Sequence, residues 1–568
     1  MKQKFIKKSK NLLKSPPNLK NYSSAFASFS WNKAEKELFW FKGRKINAAY
    51  NALDRQALGK NKNKIALYWE GEGGEKENFT FGELFVLAEK FGGFLKSLGI
   101  KPGGRVFFFL PRIPALYWGF LGALRIGAIA GNLFAAFESQ ALYDRLKNSQ
   151  AGVVITNRQL YYRLKKIEKD LPNLKKVIFA ENLKRLLDRS STKTPCRPME
   201  PSSPAFMLYT SATGNTPVCG IAIPHKAIIQ QHITAKWVLD LKENDIYWCT
   251  GDPAWVTGVA YGILAPWSLG VSQVVFEGRF NPQKWYSIIE KYRVSVLYTA
   301  PTAIRMLKKE EELIKKYDLS SIRHIASVGE PLDKHSVYWT MEKLKVPAHD
   351  TWWQTETGAI MIANFPSLDI KPGSMGKPIP GVEAAIIDKN GRQLGPNKEG
   401  NLAFKPNWPS LMVRIWKNKK RYSSYFKNGW YLSGDRAYKD KDGYFWFIGR
   451  ADDVIKTSGE RVGPFEVESC LLEHPAVVET GVIGKPDPLR GEIVKAFVVL
   501  KNGWKPSQKL KEELQQFVKT HLAGHAYPRE IEFVNKLPKN RSGKIVRRIL
   551  KAKELGLPIG DTSTLEEY

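Results

Sequence analysis

The chain reads as an α/β protein with largely parallel sheets, closed by a smaller unit of its own. Three observations predict this. Short apolar strand-like runs alternate with amphipathic helix-like stretches, and the pattern changes near residue 450. In addition, 43% of the 568 residues are hydrophobic, including 17 Trp and 29 Phe, which is ample for large cores and excludes bulk disorder.

Taken in order, residues 1–46 form a basic N-terminal extension that opens with Lys2, Lys4, Lys7, Lys8, Lys10, Lys14 and Lys20 and no acid among them. Pro16, Pro17 and a polar run follow where a secretory signal would need an apolar stretch. Helical spacing at 81–98 precedes a strand at 105–110. The most apolar region, 106–137, is broken by Pro111, Arg112, Pro114 and Arg125; it is expected to be buried helix and strand, not a membrane span. Further strands are expected at 152–156, 176–179, 294–299 and 324–328, with a helix at 282–292. A Ser/Thr/Pro-rich segment, 190–204, is expected as a surface loop before a strand at 206–209. An aromatic strand at 444–448 leads to a domain boundary at Asp452. The last unit carries strands at 477–484 and 494–500 and a helix on which Leu510, Leu514, Phe517 and Val518 share a face. Its tail after Leu555 is expected to be loosely ordered. The domains are thus 1–46, 47–451 and 452–568.

Composition narrows the function. Cys196, Cys219, Cys249 and Cys470 are scattered without a CxxC pair, against a disulfide scaffold or zinc ribbon and in keeping with a reducing, cytoplasmic setting. Of the eight His, only His521 and His525 have metal-like spacing, and Gly524 interrupts their turn. Lys plus Arg number 88 against 55 Asp plus Glu, so 88 − 55 gives +33. Strongly basic chains often bind nucleic acid or anionic membranes.

Several blocks carry chemistry. Tyr209-Thr210-Ser211-Ala212-Thr213-Gly214-Asn215-Thr216-Pro217 is a Ser/Thr/Gly-rich loop after a strand. Such a loop can wrap phosphates, because small residues let backbone N–H groups approach and hydroxyls add donors; alone it reads equally well as a polar turn. Val328-Gly329-Glu330-Pro331-Leu332 ends a strand, and Asp350-Thr351-Trp352-Trp353-Gln354-Thr355-Glu356-Thr357-Gly358 follows. Tyr431-Leu432-Ser433-Gly434-Asp435, Gly449-Arg450-Ala451-Asp452-Asp453, Ser458-Gly459-Glu460-Arg461 and Pro538-Lys539-Asn540-Arg541-Ser542-Gly543-Lys544 complete the set.

In this order and spacing the blocks resemble the adenylate-forming family of acyl-CoA synthetases, luciferases and peptide-synthetase adenylation domains. The double tryptophan and the run from Ser458 to Glu468 make the chain similar to the acetate-activating, AMP-forming branch. The resemblance runs from about Asn47 to Leu555. It implies a large N-terminal domain of stacked, mainly parallel sheets with helices, plus a small mobile α+β C-terminal domain. The implied chemistry is attack of acetate on the α-phosphate of ATP, then displacement of AMP by the thiol of CoA. ATP and CoA are thus expected as co-substrates, with Mg²⁺.

The resemblance also assigns roles. Asp435 would take the ribose hydroxyls, supported by Arg450. Gly329, Glu330 and Pro331 would carry the adenine, with Asp350, Thr351 and Trp352 around the base and Gln354 among the nucleotide contacts. Thr355 would touch the α-phosphate, Glu356 would hold Mg²⁺, and Arg461 would contact phosphate. Thr210, Ser211 and Thr213 would serve in the phosphate loop. Lys544 would bridge the carboxylate and the α-phosphate, its ammonium offsetting the repulsion of two anions. Asp452 matches the hinge, Ser458 and Gly459 would approach pantetheine, and Lys519 and Arg163 would reach CoA phosphates. Val256, Thr257 and Val328 would wall the acyl pocket. Trp353 would close its end where longer-chain relatives carry glycine, favouring acetate and tolerating propionate. The Lys544 loop is similar to one reversibly acetylated in bacterial relatives, which implies an acetyltransferase and a deacetylase as partners. No nucleic acid or membrane partner is implied.

The phosphate loop departs from the family pattern Thr-Ser-Gly-(Ser/Thr)-Thr-Gly-x-Pro-Lys-Gly. Ala212 replaces the first glycine, Gly214 and Asn215 stand where Thr-Gly should be, Val218 replaces the lysine and Cys219 the next glycine. An active ligase is expected, with an impaired relative or a propionate or other short-acid ligase as alternatives. From another class, the charge and the altered loop also suit a non-catalytic, nucleic-acid-binding relative.

Overall fold

The computed structural model describes residues 5–8, 12–188, 193–209, 218–451, 453–457, 460–539, 544–559, 562 and 565. Its β-branched and aromatic runs form two mixed sheets, parallel in their interiors. The nine-stranded sheet runs in the order Lys377–Pro378, Ile362–Ala363, Ala348–Trp352, His324–Ser327, Val296–Thr299, Ile246–Cys249, Ser272–Phe276, Ile65–Glu70 and Lys76–Thr80. Pairing is parallel from Ala348–Trp352 to Ile65–Glu70 and antiparallel at both edges. The seven-stranded sheet places Arg105–Phe109 between Ile129–Leu133 and Val153–Thr156, all parallel, with Gly220–Pro224 and Arg414–Ile415 added antiparallel at one side. Strands such as Ile129–Leu133 and His324–Ser327 are buried along their whole length, as expected when helices cover both faces of a parallel sheet.

Helix Phe81–Ser97 illustrates how local sequence sets packing. Thr80 and Glu83 form a reciprocal capping box at its start. Leu84, Ala88, Phe91 and Leu95 bury one face against helix Pro114–Arg125. Gly122 permits the close approach, since a Cβ there would lie 2.6 Å from the Ala88 carbonyl oxygen.

A third, antiparallel sheet comprises Ala384–Ile387, Gly400–Phe404, Phe426–Lys427, Trp430–Lys439 and Phe445–Arg450. The last unit has its own sheet of Ile455–Thr457, Glu460–Val462, Val477–Asp487, Gly491–Leu500 and Glu530–Phe533, covered by helices Pro464–Leu471 and Gln508–His521. Asp452, taken from sequence as the boundary, lies outside the described residues.

Residues 5–8 and 12–46 pack against the large domain: Leu19, Tyr22, Ala34 and Leu38 are buried in the main core, and Ile6 bridges Ile370. The described part of 190–204 is a largely exposed loop, anchored where Thr194 and Met199 are buried and Ile46 bridges Met199. Beyond Leu555, Leu557 and Pro558 line the central cavity, with Leu557 exposed. The apolar 106–137 region is buried strand and helix as expected, and among the described residues no helix is long and apolar enough to cross a membrane.

Helix Pro114–Arg125 ends in a buried charge. Arg125 pairs with Asp54, their side chains 1% and 2% exposed, and donates to the Thr194 carbonyl at 2.9 Å. Removing one partner strands the other in the core. Asp54→Ala should therefore destabilise the chain by about 3–5 kcal/mol, while an apolar replacement of both should lose far less. Urea unfolding of Asp54→Ala and of Asp54→Leu/Arg125→Met measures this; equal losses would contradict it.

Candidate active site

A cavity of about 1440 Å³ lies between the large domain and the C-terminal unit. Thr250, Val328 and Trp352, at the carboxyl ends of parallel strands, form its floor, where open α/β sheets place ligands. Asp435 and Arg450 of the antiparallel sheet form one wall, and Lys544 and Arg547 of the C-terminal unit close it from above.

The chain leaves strand His324–Ser327 through Gly329, whose φ of +97° suits glycine and turns the backbone across the cavity floor. Glu330 points back into the protein: Oε1 accepts from the Thr302 backbone N–H at 2.7 Å and from Arg305 at 3.0 Å. Its side chain thus caps helix Pro301–Lys309. Asp350 is 4% exposed and accepts from Ser327 Oγ at 2.9 Å and from the Thr351 N–H at 3.0 Å. Burial pushes its carboxyl up to about 7, against those hydrogen bonds.

Asp435 is 4% exposed. Trp352 Nε1 donates to one of its oxygens at 3.0 Å and Arg450 Nη1 to the other at 3.0 Å. Burial raises its carboxyl pKa, while Arg450, Trp352 and Lys544 oppose the shift. Gly434 has φ +75°, and a Cβ there would meet Arg450 Nη2 at 3.1 Å, so glycine keeps that guanidinium in place. Gln354 donates to the Ser433 carbonyl at 2.8 Å and accepts from Tyr431 Oη at 2.9 Å. Its amide thus fastens the 350–358 loop to the antiparallel sheet. Thr355, buried, and Glu356 follow on the cavity wall, and Tyr425 Oη donates to Glu356 Oε1 at 2.8 Å.

Val256, Thr257, Val328 and Trp353 all line this cavity. The Trp353 indole donates to Tyr298 Oη at 3.1 Å and meets the Tyr261 ring edge-on at 5.1 Å. Tyr298 is held in turn by Thr351 at 2.8 Å, and Tyr261 by Thr234 at 2.7 Å. Trp353 is therefore held by two tyrosines that are themselves hydrogen-bonded.

Lys544 enters the same cavity from the C-terminal unit while staying open to solvent through the cleft. Desolvation lowers its ammonium pKa, reinforced by Arg547 and Arg450 and opposed by Asp435 and Glu330. Arg547 is itself paired with Glu468, and Lys334 bridges to Glu473 across the cleft. Arg163 is held by Glu138 at 3.1 Å and the Ala135 carbonyl at 2.8 Å, and Lys519 lies over the Tyr527 ring at 4.2 Å. Neither is among the described residues lining the cavity. Arg461 is placed only as backbone opposite Lys456. Thr210, Ser211, Thr213, Asp452, Ser458 and Gly459 lie outside the described residues. Sequence reasoning missed Arg305, Arg421 and Tyr425, which lie in no recognised block; their meeting with Glu330 and Glu356 spans distant chain segments.

The AMP-binding enzyme model matches residues 53–412, and the model of the AMP-binding enzyme C-terminal domain matches 466–544. The chain is 53% identical to the acetyl-coenzyme A synthetase of Bacillus subtilis (strain 168), covering 97% of this chain and 98% of that one. It is 40% identical to the acetyl-coenzyme A synthetase of Pyrobaculum arsenaticum, over 93% and 86% of the two chains. A Brucella canis acyl-CoA synthetase structure superposes with TM-score 0.74 at 35% identity, covering 95% of this chain and 99% of that one. The anthranilate CoA ligase AuaEII, solved with anthranoyl-AMP, gives TM-score 0.83 at 29% identity over 90% and 98%. With both family models and near full-length relatives matched, the chain belongs to the AMP-binding, adenylate-forming enzyme family.

Proposed function

We propose that the chain is an AMP-forming acetate–CoA ligase. The observation that carries this reading is a single cavity lined by Trp353, which Tyr298 and Tyr261 hold, and entered from the other domain by Lys544. A carboxylate oxygen of acetate forms a bond to the α-phosphorus of ATP as the bond to pyrophosphate breaks. The thiol of CoA then attacks the acetyl carbonyl carbon, loses its proton, and AMP leaves. Positioning and charge offset are the protein's main contributions. Asp435, buried and oriented by Trp352 and Arg450, accepts from the ribose hydroxyls. The backbone at Gly329–Pro331 supports the adenine, with Asp350 and Trp352 beside it. Thr355 donates to the α-phosphate, and Lys544 stands between the two anions.

Among the described residues no cluster of three or more His, Cys, Asp or Glu forms a ready-made metal cage. Glu356, one carboxylate on the cavity wall, fits a hard cation that takes most of its ligands from substrate phosphates and water. Bound Mg²⁺ would offset polyphosphate charge there. Ser458, Gly459, Lys519 and Arg163 serve CoA after the C-terminal unit swings about Asp452. Acetylation of Lys544 by a cellular acetyltransferase would remove its charge and stop adenylation until reversed. The four cysteines, all unpaired, suit a cytoplasmic setting.

Thiol-dependent AMP formation across acetate, propionate and butyrate tests the reading: kcat/KM should fall in that order, and a preference for butyrate would overturn it. Trp353→Gly should improve butyrate relative to acetate by about tenfold or more, since each methylene accommodated contributes ~1–3 kcal/mol.

The Lys544 cation is needed only in the first half-reaction. With its pKa below the ordinary lysine value, adenylation should decline as pH rises through that lowered value. CoA transfer from supplied acetyl-AMP should lack this alkaline limb. Lys544→Ala should remove adenylation and spare the transfer; loss of both would contradict the assignment.

A further inference from the structure

Tyr298 lies on strand Val296–Thr299, opposite Ala326 of strand His324–Ser327, and Thr351 lies one strand further on, in Ala348–Trp352. The small Ala326 side chain on the middle strand leaves the Tyr298 ring room to reach across it. Tyr298 Oη lies 2.8 Å from Thr351 Oγ1 and 3.1 Å from Trp353 Nε1. The direction of each bond follows from the protons available. An indole N–H only donates, and the Thr351 hydroxyl gives its one proton to the Ser327 carbonyl at 2.7 Å. Tyr298 therefore accepts from Trp353 and donates to Thr351. A chain of three hydrogen bonds thus runs from Trp353 through Tyr298 and Thr351 to Ser327, the residue before Val328.

Tyr261 contributes differently. It sits in the π-helical turn Ala260–Leu264, which continues directly from Val256–Val259. Its Oη accepts from the Ile360 N–H at 2.9 Å. Because Thr234 gives its proton to the Gln230 carbonyl at 2.6 Å, Tyr261 donates to Thr234 at 2.7 Å. Its hydroxyl is thus engaged away from Trp353, and the indole meets only its ring, edge-on at 5.1 Å. Both tyrosines are 0% exposed, yet only Tyr298 holds Trp353 by a polar bond. An indole in ring contact alone turns at little cost, whereas one bonded through its N–H must leave a buried acceptor to do so.

We propose that Tyr298 sets the size of acid accepted, by holding the Trp353 indole in one orientation through this hydrogen bond. Tyr298 is a positioning residue that acts through Trp353. The proposal rests on the reading above, in which Trp353 limits the acyl pocket, and adds the residue that fixes it.

The test is kcat/KM for acetate and for butyrate in thiol-dependent AMP formation by the full chain. The parent is compared with Tyr298→Phe, Tyr261→Phe, Trp353→Gly and Tyr298→Phe/Trp353→Gly. Tyr298→Phe should raise the butyrate-to-acetate ratio about three- to tenfold, the range of one neutral hydrogen bond. Tyr261→Phe loses an equally buried hydroxyl that does not touch the indole, and should leave the ratio unchanged. With Trp353→Gly already present, Tyr298→Phe should add nothing, because the side chain it positions is gone. An unchanged ratio in Tyr298→Phe, an equal rise in Tyr261→Phe, or the same rise on top of Trp353→Gly would overturn the proposal. If Tyr298→Phe does not fold, Thr351→Val carries the test by removing the acceptor of the Tyr298 hydroxyl. Its ratio should also rise, any effect on ATP cancelling between the two acids, and an unchanged ratio would overturn the proposal. A parent that prefers butyrate would contradict the acetate reading alone; the change from parent to Tyr298→Phe decides the role of Tyr298 whichever acid the parent prefers.

Discussion

The site depends on one junction, where the 350–358 loop is fastened to the turn at Ser433–Asp435. Consecutive side chains on the loop serve different ends. Trp352 reaches Asp435, Trp353 reaches Tyr298, Gln354 reaches Ser433 and Tyr431, and Glu356 receives Tyr425. One short segment thus ties together the antiparallel sheet at Asp435 and Ser433, Tyr298 and Tyr425. A shift at Gln354 would move these contacts together, because its amide fastens the loop to the antiparallel sheet.

Electrostatics explains why so basic a chain can carry a buried carboxylate at its centre. Asp435 is kept in the protein by two donors, and its raised pKa records how costly that burial is. Around it, Arg305 is paired with Glu330, Arg547 with Glu468 and Arg450 with Asp435 itself, and Lys544 lines the same cavity. The net +33 is largely a property of the exposed surface, and the cavity that gathers anions uses a small part of it.

Much of this was legible in the sequence. The alternation of strand and helix gave the parallel interiors nearly residue for residue: Lys176–Phe179 and Pro282–Tyr292 fall where their apolar periods end. The motif blocks located Asp435, Glu356, Trp353 and Lys544 because each lies in a short contiguous pattern. Other features were not legible, for physical reasons. The burial of Leu19, Tyr22 and Leu38 comes from contacts with residues hundreds of positions away, which a lysine-rich composition conceals. The Glu330 block is legible because it is contiguous, but the contacts of its carboxylate with Thr302 and Arg305 come from a neighbouring helix and are not. Arg421 and Tyr425 belong to no pattern, and only the antiparallel pairing of Arg414–Ile415 brings them to the cavity.

The central claim is that one closed cleft holds an acetyl-adenylate with its ribose on Asp435 and its methyl group against Trp353. The most direct measurement is a crystal structure of the chain with a non-hydrolysable acetyl-adenylate sulfamate. The account predicts the ribose hydroxyls within hydrogen-bond distance of Asp435, the acetyl group on the Trp353 indole and the Lys544 ammonium beside the sulfamate. An acyl group directed away from Trp353, or a ribose seated elsewhere than Asp435, would contradict it.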